Sequence, residues 1–396
     1  MKILMLTPYL PFPPSSGGQI RSYNLIKHLS KKHKITLCSL IKYDSERKYA
    51  DQLEKYCEGV YLFKRAEKPW TFKNIIKTAL SLYPFLVIRN YSQEEKTFIE
   101  KILRLKDFDI IHAETFYVSP HIPGTKTPIV LVDQTIEYEV YLHYVKNFKW
   151  PALRPLLLLD VLKIKFWETY YWKRASRVVA VSERDAKVMR NLVKAINVEV
   201  VPNGVGEDLM ESVALHYNKT LLFMGNYAWL QNIEAARILA RKVFPAVLKK
   251  IPDVKLLITG QNTAKIGNLA GGSIMLKDLE IDDIEGVRKA YTECGALVAP
   301  LYGPGGTRLK ILGAMASRLP VVTTPIGIEG IDAKNGVSVL CGETAKDLAK
   351  LTIRLLRDKT LYGKVAENAR ELVLEKYTYE KISKNLNEIY ESLKDT

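Results

Sequence analysis

Two basic side chains set one position apart, Arg308 and Lys310, follow glycines 303, 305 and 306 in the stretch LVAPLYGPGGTRLKILGAMASRLPVVTT, residues 297–324. The chemistry open to such a group is the holding of an anion. Glycines let backbone amides close on phosphate oxygens, and the positive end of the following helix dipole adds to the charge of the two side chains. The spacing predicts a strand over 297–301, a loop through Pro304, a helix capped by Thr307 and running to 317, and a second strand from 321 after Pro320. A tight turn with two solvated cations would give the same letters, and the loop by itself leaves both readings open. A second glycine pair, Gly17 and Gly18, follows the apolar strand 2–7 and precedes a helical pattern over 19–30. Each half of the chain thus offers a glycine loop before a helix, and the duplication favours the phosphate reading.

The elements that must carry these loops alternate between strand and helix. Strands are expected at 35–41, 60–63, 109–112, 129–133, 178–181 and 198–201, and then at 220–224, 255–259, 273–276 and 337–341. Ser182 is placed to cap a helix, and helices are expected at 345–356 and 377–393. Alternation of this kind builds parallel sheets, whose ligands sit beyond the carboxyl ends of the strands. Pro202, Asn203 and Gly204 give turn chemistry, which places a linker between there and Lys219. The expected fold class is α/β, with two Rossmann-like doubly wound domains facing across a cleft. The first covers 1–205, the second 206–375, and residues 376–396 form a helix packing back toward the first. Clefts between such domains are favoured places for small-molecule sites.

At 396 residues the chain is too long for one ordinary core. Its formal charge of +16 is lopsided, because residues 1–200 hold 33 Lys and Arg against 20 Asp and Glu, while residues 201–396 hold 26 against 23. The first half is therefore expected to meet something acidic, such as anionic lipid or a phosphorylated acceptor. No fold that usually reads nucleic acid is visible, so a nucleic-acid partner is not expected. Cys38, Cys57, Cys294 and Cys341 are far apart and form no metal-ligand spacing, which suits a reducing cytoplasm. Residues 1–7 lack the zones of a signal peptide, and no apolar run is long enough to span a bilayer. A cytoplasmic protein is expected, peripheral at the inner face of the membrane if the basic half meets lipid.

Taken together, Gly17-Gly18 after the first strand, DIIHAE at 109–114, VVAVSERD at 178–185, VPNGV at 201–205, LLFMGN at 221–226 and GGTRLKILGAMASRLPVVTT at 305–324 resemble family 4 of the retaining glycosyltransferases, which have the GT-B arrangement. The resemblance covers nearly the whole chain. It implies transfer of a sugar from a UDP- or GDP-sugar donor to a saccharide or lipid-linked acceptor, with anomeric configuration retained and with no metal or other cofactor. It also implies catalytic roles for His112, beside the transferred sugar, and for Arg308 and Lys310, which stabilise the diphosphate leaving group. Gly17, Gly18, Gly225, Asn226, Gly305, Gly306 and Thr307 would bind the nucleotide sugar. Apart from the resemblance, a histidine at a strand end is better explained as a structural cap.

Two departures from the family pattern stand out. The family often places two glutamates eight positions apart, where this chain has Gly305 and Gly313. After LLFMG it commonly has an arginine and then a lysine, where this chain has Asn226, Tyr227, Trp229, Gln231 and Asn232. These departures motivate a binding protein without catalysis as an alternative, and the two-domain plan also admits a nucleotide-sugar epimerase. Asn203 reads as a turn residue, and Glu183 reads equally as an acceptor contact or a solvated helix start.

Asp107-Phe108-Asp109 matches a metal-binding Asp-x-Asp pattern but precedes a strand, at the edge away from the ligand crevice. Neither a Gly-x-Ser-x-Gly elbow nor a Gly-Lys-Ser/Thr loop is present. The segment 150–177 mixes leucines and aromatics with Lys163, Lys165, Lys173, Arg174 and Arg177. It reads as a long helix with a buried face or as one resting on anionic lipid.

Overall fold

The structure is a computed structural model that describes residues 1–210, 214–269, 271–303 and 308–394. It divides into two compact units, Met1–Pro202 with Ile382–Thr396, and Asn203–Lys381.

The first unit is built on a parallel sheet of strands β1 (Lys2–Thr7), β2 (Lys34–Ile41), β3 (Gly59–Lys64), β4 (Ile110–Glu114), β5 (Ile129–Asp133), β6 (Arg177–Ala180) and β7 (Val198–Val200). Their order is β3-β2-β1-β4-β5-β6-β7 among the described residues. Strands such as KILMLT are apolar at nearly every position because helices cover both faces of a parallel sheet. Ile111 and Ala113 of β4 join Leu4, Leu6, Cys38 and Leu131 in the core on one face. His112 and Glu114 therefore point to the other. That face is covered by the Gly17–Leu29 helix and by the carboxyl-terminal Tyr379–Lys394 helix.

The second unit carries β8 (Thr220–Asn226), β9 (Lys255–Gln261), β10 (Ile274–Asp278), β11 (Ala296–Ala299), β12 (Val321–Thr323) and β13 (Leu340–Cys341). They form a parallel sheet in the order β10-β9-β8-β11-β12-β13. In each sheet the order reverses beside the first strand, at β1/β4 and at β8/β11. The connections there leave toward opposite faces, which opens a crevice beyond the strand ends.

Local signals account for most element boundaries. Ser182 caps the Glu183–Leu192 helix, its hydroxyl accepting from the Asp185 amide at 3.0 Å. Thr344 and Asp347 form a reciprocal capping box at the start of the Ala345–Arg357 helix. The strand expected to end at His112 continues to Glu114, because Ala113 and Glu114 keep register with Leu131 and Val132 of β5. The helix expected to start with a Thr307 cap is Leu309–Ala316, with Arg308 at the N-cap position. The Gln93–Leu105 and Lys359–Lys376 helices lie where no element is expected above. Among the described residues, no helix is long and apolar enough to cross a membrane.

Candidate active site

In the second unit the crevice lies at the carboxyl ends of β8 and β11. Lys310, the second residue of its helix, donates from Nζ to Asn232 Oδ1 at 2.6 Å, and the ammonium lies 4.7 Å from the centre of the Phe223 ring. Burial, with the neighbouring Arg308 guanidinium adding repulsion, lowers the Lys310 pKa from 10.5 to about 7. A neutral amide and a ring face offset only part of that cost, so an incoming anion would be well matched here. Arg308 reaches back from Nη2 to the Gly303 carbonyl at 2.6 Å, which ties the ends of the loop together. Gly305, Gly306 and Thr307, expected to supply backbone amides, lie outside the described residues.

The floor of this crevice is a chain of side-chain amides. Asn226 Nδ2 donates to Gln261 Oε1 at 2.8 Å, Asn262 Nδ2 to Asn226 Oδ1 at 3.0 Å, and Asn232 Nδ2 to the Asn226 carbonyl at 2.8 Å. Gly225 leaves room for its neighbours, since a Cβ there would stand 2.9 Å from Lys310 Nζ and 3.0 Å from Asn232 Cγ and would push these side chains aside. Gly260 is strictly required. Its φ is +125°, and a Cβ would lie 2.1 Å from the Gly225 carbonyl oxygen. Thr323 Oγ1 donates to the Ala299 carbonyl at 2.6 Å, and Thr324 Oγ1 donates to that of Leu301, fixing the end of β11 against β12.

In the first unit His112 lies mid-strand, paired with Met5 and Val130 and fully buried. Its Nδ1 is 2.6 Å from Tyr390 Oη and its Nε2 is 3.0 Å from Glu114 Oε1. Arg21 Nε stands 3.8 Å from the same carboxylate oxygen, while Gln134 Nε2 donates to Glu114 Oε2 at 2.6 Å. Arg21 Nη1 donates to the carbonyls of Val201 and Pro202 at 3.1 and 2.9 Å. Burial works to raise the Glu114 pKa, but His112, Arg21 and Gln134 together outweigh it and hold the carboxyl below its ordinary range. Both nitrogens of His112 are thus engaged within the unit, so direct donation to a sugar hydroxyl would require one of these bonds to be exchanged. Gly17 is the first residue of its exposed helix start. At Gly18 a Cβ would lie 1.6 Å from Tyr9 Oη and 2.9 Å from Gln134 Oε1, so neighbouring side chains in the same unit already demand glycine. Thr115, directly after β4, adopts φ +79°, a strained conformation for a β-branched residue at a crevice edge.

Two family models match this chain. Residues 15–209 match Glycosyltransferase Family 4, and residues 218–358 match Glycosyl transferases group 1. The chain belongs to glycosyltransferase family 4. Its activity class is glycosyl transfer, and its fold is GT-B. The fold is shared with sucrose-phosphate synthase from Thermosynechococcus elongatus, with a TM-score of 0.70 at 16% identity over 99% of both chains. It is also shared with Anabaena HepE solved in complex with UDP-glucose, with a TM-score of 0.66 at 16% identity over 99% of this chain and 100% of that one. A protein of Klebsiella pneumoniae described as an uncharacterized 44.6 kDa protein in the cps region is 22% identical, over 96% of this chain and 97% of its own length.

Several family-4 positions take a different part here. Gly313 is buried, and a Cβ there would meet Tyr291 Cζ at 3.1 Å and Leu209 Cδ1 at 3.2 Å, so the position of the second glutamate in the family pattern faces packed side chains here. Tyr227 is a core residue whose hydroxyl donates to the Thr259 carbonyl at 3.1 Å, and Asn232 serves as the acceptor for Lys310. Glu183 is a solvated first helical residue with its carboxylate 3.8 Å from Arg190. Asp109 lies at the amino edge of the sheet, where its carboxylate accepts from the Lys2 amide at 2.6 Å, away from either crevice. Sequence reasoning missed Glu114, Arg21, Tyr390 and Gly260. Of these, only Gly260, in the Thr-Gly-Gln that ends β9, left a local signal.

Proposed function

We propose that this family-4 enzyme transfers a sugar, with retention, from a UDP- or GDP-sugar to a saccharide or lipid-linked acceptor of a growing polysaccharide. The observation that carries the reading is the Lys310 ammonium, held 2.6 Å from Asn232 Oδ1 at the point where the strand order of the second sheet reverses. The binding of UDP-glucose by the structurally similar HepE supports the donor class. The cps-region relative supports a polysaccharide product.

In the proposed reaction the acceptor oxygen attacks the anomeric carbon while the bond from that carbon to the β-phosphate oxygen breaks. The acceptor proton passes to the departing phosphate. Lys310 and Arg308 stabilise the negative charge that gathers on the leaving diphosphate. His112 holds the first-unit side of the site through Glu114 and Tyr390.

Incubation of the pure enzyme with a panel of sugar nucleotides and a membrane extract, followed by product analysis, tests the proposal. A glycosylated product with release of nucleoside diphosphate is expected. An isomerised donor would mark an epimerase, binding without turnover would mark a protein that has lost catalysis, and either result would overturn the proposal.

A further inference from the structure

The Phe72–Leu80 helix has the pattern of a helix that buries one face, yet none of its residues is buried. Phe72, Ile75, Ile76, Ala79 and Leu80 recur at the i, i+3, i+4, i+7, i+8 spacing that ordinarily marks a core-facing stripe. Here the stripe points outward, with Phe72 78% exposed and Leu80 85% exposed. The Arg154–Arg174 helix shows the same feature on one side only. Val161, Ile164, Tyr171 and Trp172 face the core, while Leu156, Leu159, Leu162 and Phe166 face outward, Leu156 being 65% exposed.

The two helices are clamped together, which makes their outward residues one surface. Lys163 Nζ donates to the carbonyls of Thr78 and Ser81, both at 2.7 Å, and Trp167 Nε1 donates to that of Leu82 at 2.9 Å. Tyr83 stacks on Trp167 with ring centres 4.3 Å apart. Folded chains seldom leave so many large apolar side chains contiguous without a covering partner.

Charge decides what covers them. Lys68, Lys73 and Lys77 are exposed within residues 68–93, which hold no Asp or Glu, and Lys146 and Lys149 are exposed within residues 143–167, where Asp160 is the one acidic residue. The Asp160 carboxylate is turned inward, accepting from the Phe85 amide at 2.9 Å. A second copy of this chain would bring one lysine rim against another, whereas an anionic bilayer offers complementary charge together with an apolar interior. Exposed Trp70 and Trp150 have the amphipathic rings that settle at such a boundary.

We infer that the outward faces of the Phe72–Leu80 and Arg154–Arg174 helices dock the first unit onto an anionic membrane surface, with the apolar stripes sunk into the headgroup boundary and the lysines among the phosphates. This deepens the proposed transfer reaction by naming where a lipid-linked acceptor would be met, and it rests on that reading only for the purpose of docking.

The test is co-sedimentation of the full chain with vesicles of phosphatidylcholine containing phosphatidylglycerol, and with vesicles of phosphatidylcholine alone. Binding to the mixed vesicles is expected, weakened by salt and weak on phosphatidylcholine alone. The double variant Phe72→Glu, Leu80→Glu should bind the mixed vesicles about tenfold or more weakly, as two charged groups replace apolar anchors. Because both side chains are exposed, its thermal unfolding and its titration with UDP should match those of the parent. Equal vesicle binding by parent and variant would overturn the inference. So would a parent that ignores vesicles and forms a dimer that the same substitutions dissolve. Failure of sugar transfer with vesicle binding intact would count against the proposed reaction alone.

Discussion

His112 Nδ1 lies 2.6 Å from the Tyr390 hydroxyl, a buried contact between residues 278 positions apart in the chain. The carboxyl-terminal helix thus reaches the middle of the first sheet, and a second bond, from His33 Nε2 to Asn387 Oδ1 at 2.7 Å, fastens the same helix. Tyr390→Phe keeps the ring and removes the bond, so it should lower stability by about 1 kcal/mol. His112→Ala should cost more, because it also strips a partner from the buried Glu114 carboxylate. Chemical denaturation of both variants and of the double variant would give the coupling between them, expected at about 0.5–3 kcal/mol. A coupling of zero would remove Tyr390 from the network.

Lys310→Ala should reduce turnover by orders of magnitude, since loss of one electrostatic partner for a leaving group costs about 3 kcal/mol. Unchanged turnover in a steady-state assay would exclude Lys310 from the mechanism.

The same ammonium sets a pH dependence. With its pKa at about 7 in the free protein, Lys310 is charged below that value and increasingly neutral above it. A bound diphosphate favours the charged form, so nucleotide affinity should be greatest below about pH 7 and fall as pH rises, with proton uptake on binding. Calorimetry in buffers of differing ionisation heat would detect the proton, and Lys310→Arg should abolish it. The linkage to folding has the opposite sense for pH. Between about 7 and 10.5 the unfolded chain binds the proton more tightly than the folded one, so this group's destabilising effect is full below about 7 and fades as pH rises.

Gly225→Ala and Gly260→Ala should separate binding from folding. At 225 the atoms nearest the added methyl belong to the Lys310 and Asn232 side chains, so the fold should persist while affinity for UDP falls by about tenfold. At 260 it meets the Gly225 backbone at a φ of +125°, so a stability loss of more than about 1 kcal/mol is expected. Thermal unfolding and UDP titration of each variant would check both outcomes.

Gly313→Glu would place the second carboxylate of the family pattern, but against Tyr291 and Leu209. The expected result is a loss of stability of about 1–3 kcal/mol, with no gain in nucleotide affinity. Tighter binding of UDP by this variant would refute the packing argument.

The sequence alone determined most of the strands and the Ser182 cap, because apolar runs, turn residues and side-chain caps act within a few positions of themselves. β1 and β5 lie where their apolar runs predict them, and Ser182 caps as its neighbours dictate. The family motifs are local for the same reason, so the fold class was legible. Only the tertiary structure decided that His112 lies mid-strand within a network of Arg21, Glu114 and Tyr390, and that Gly313 faces Tyr291. It also decided that the apolar stripe of the Phe72–Leu80 helix faces outward. A helical period fixes which side chains share a face but not what that face meets, and contacts between distant segments leave no mark on the neighbouring letters.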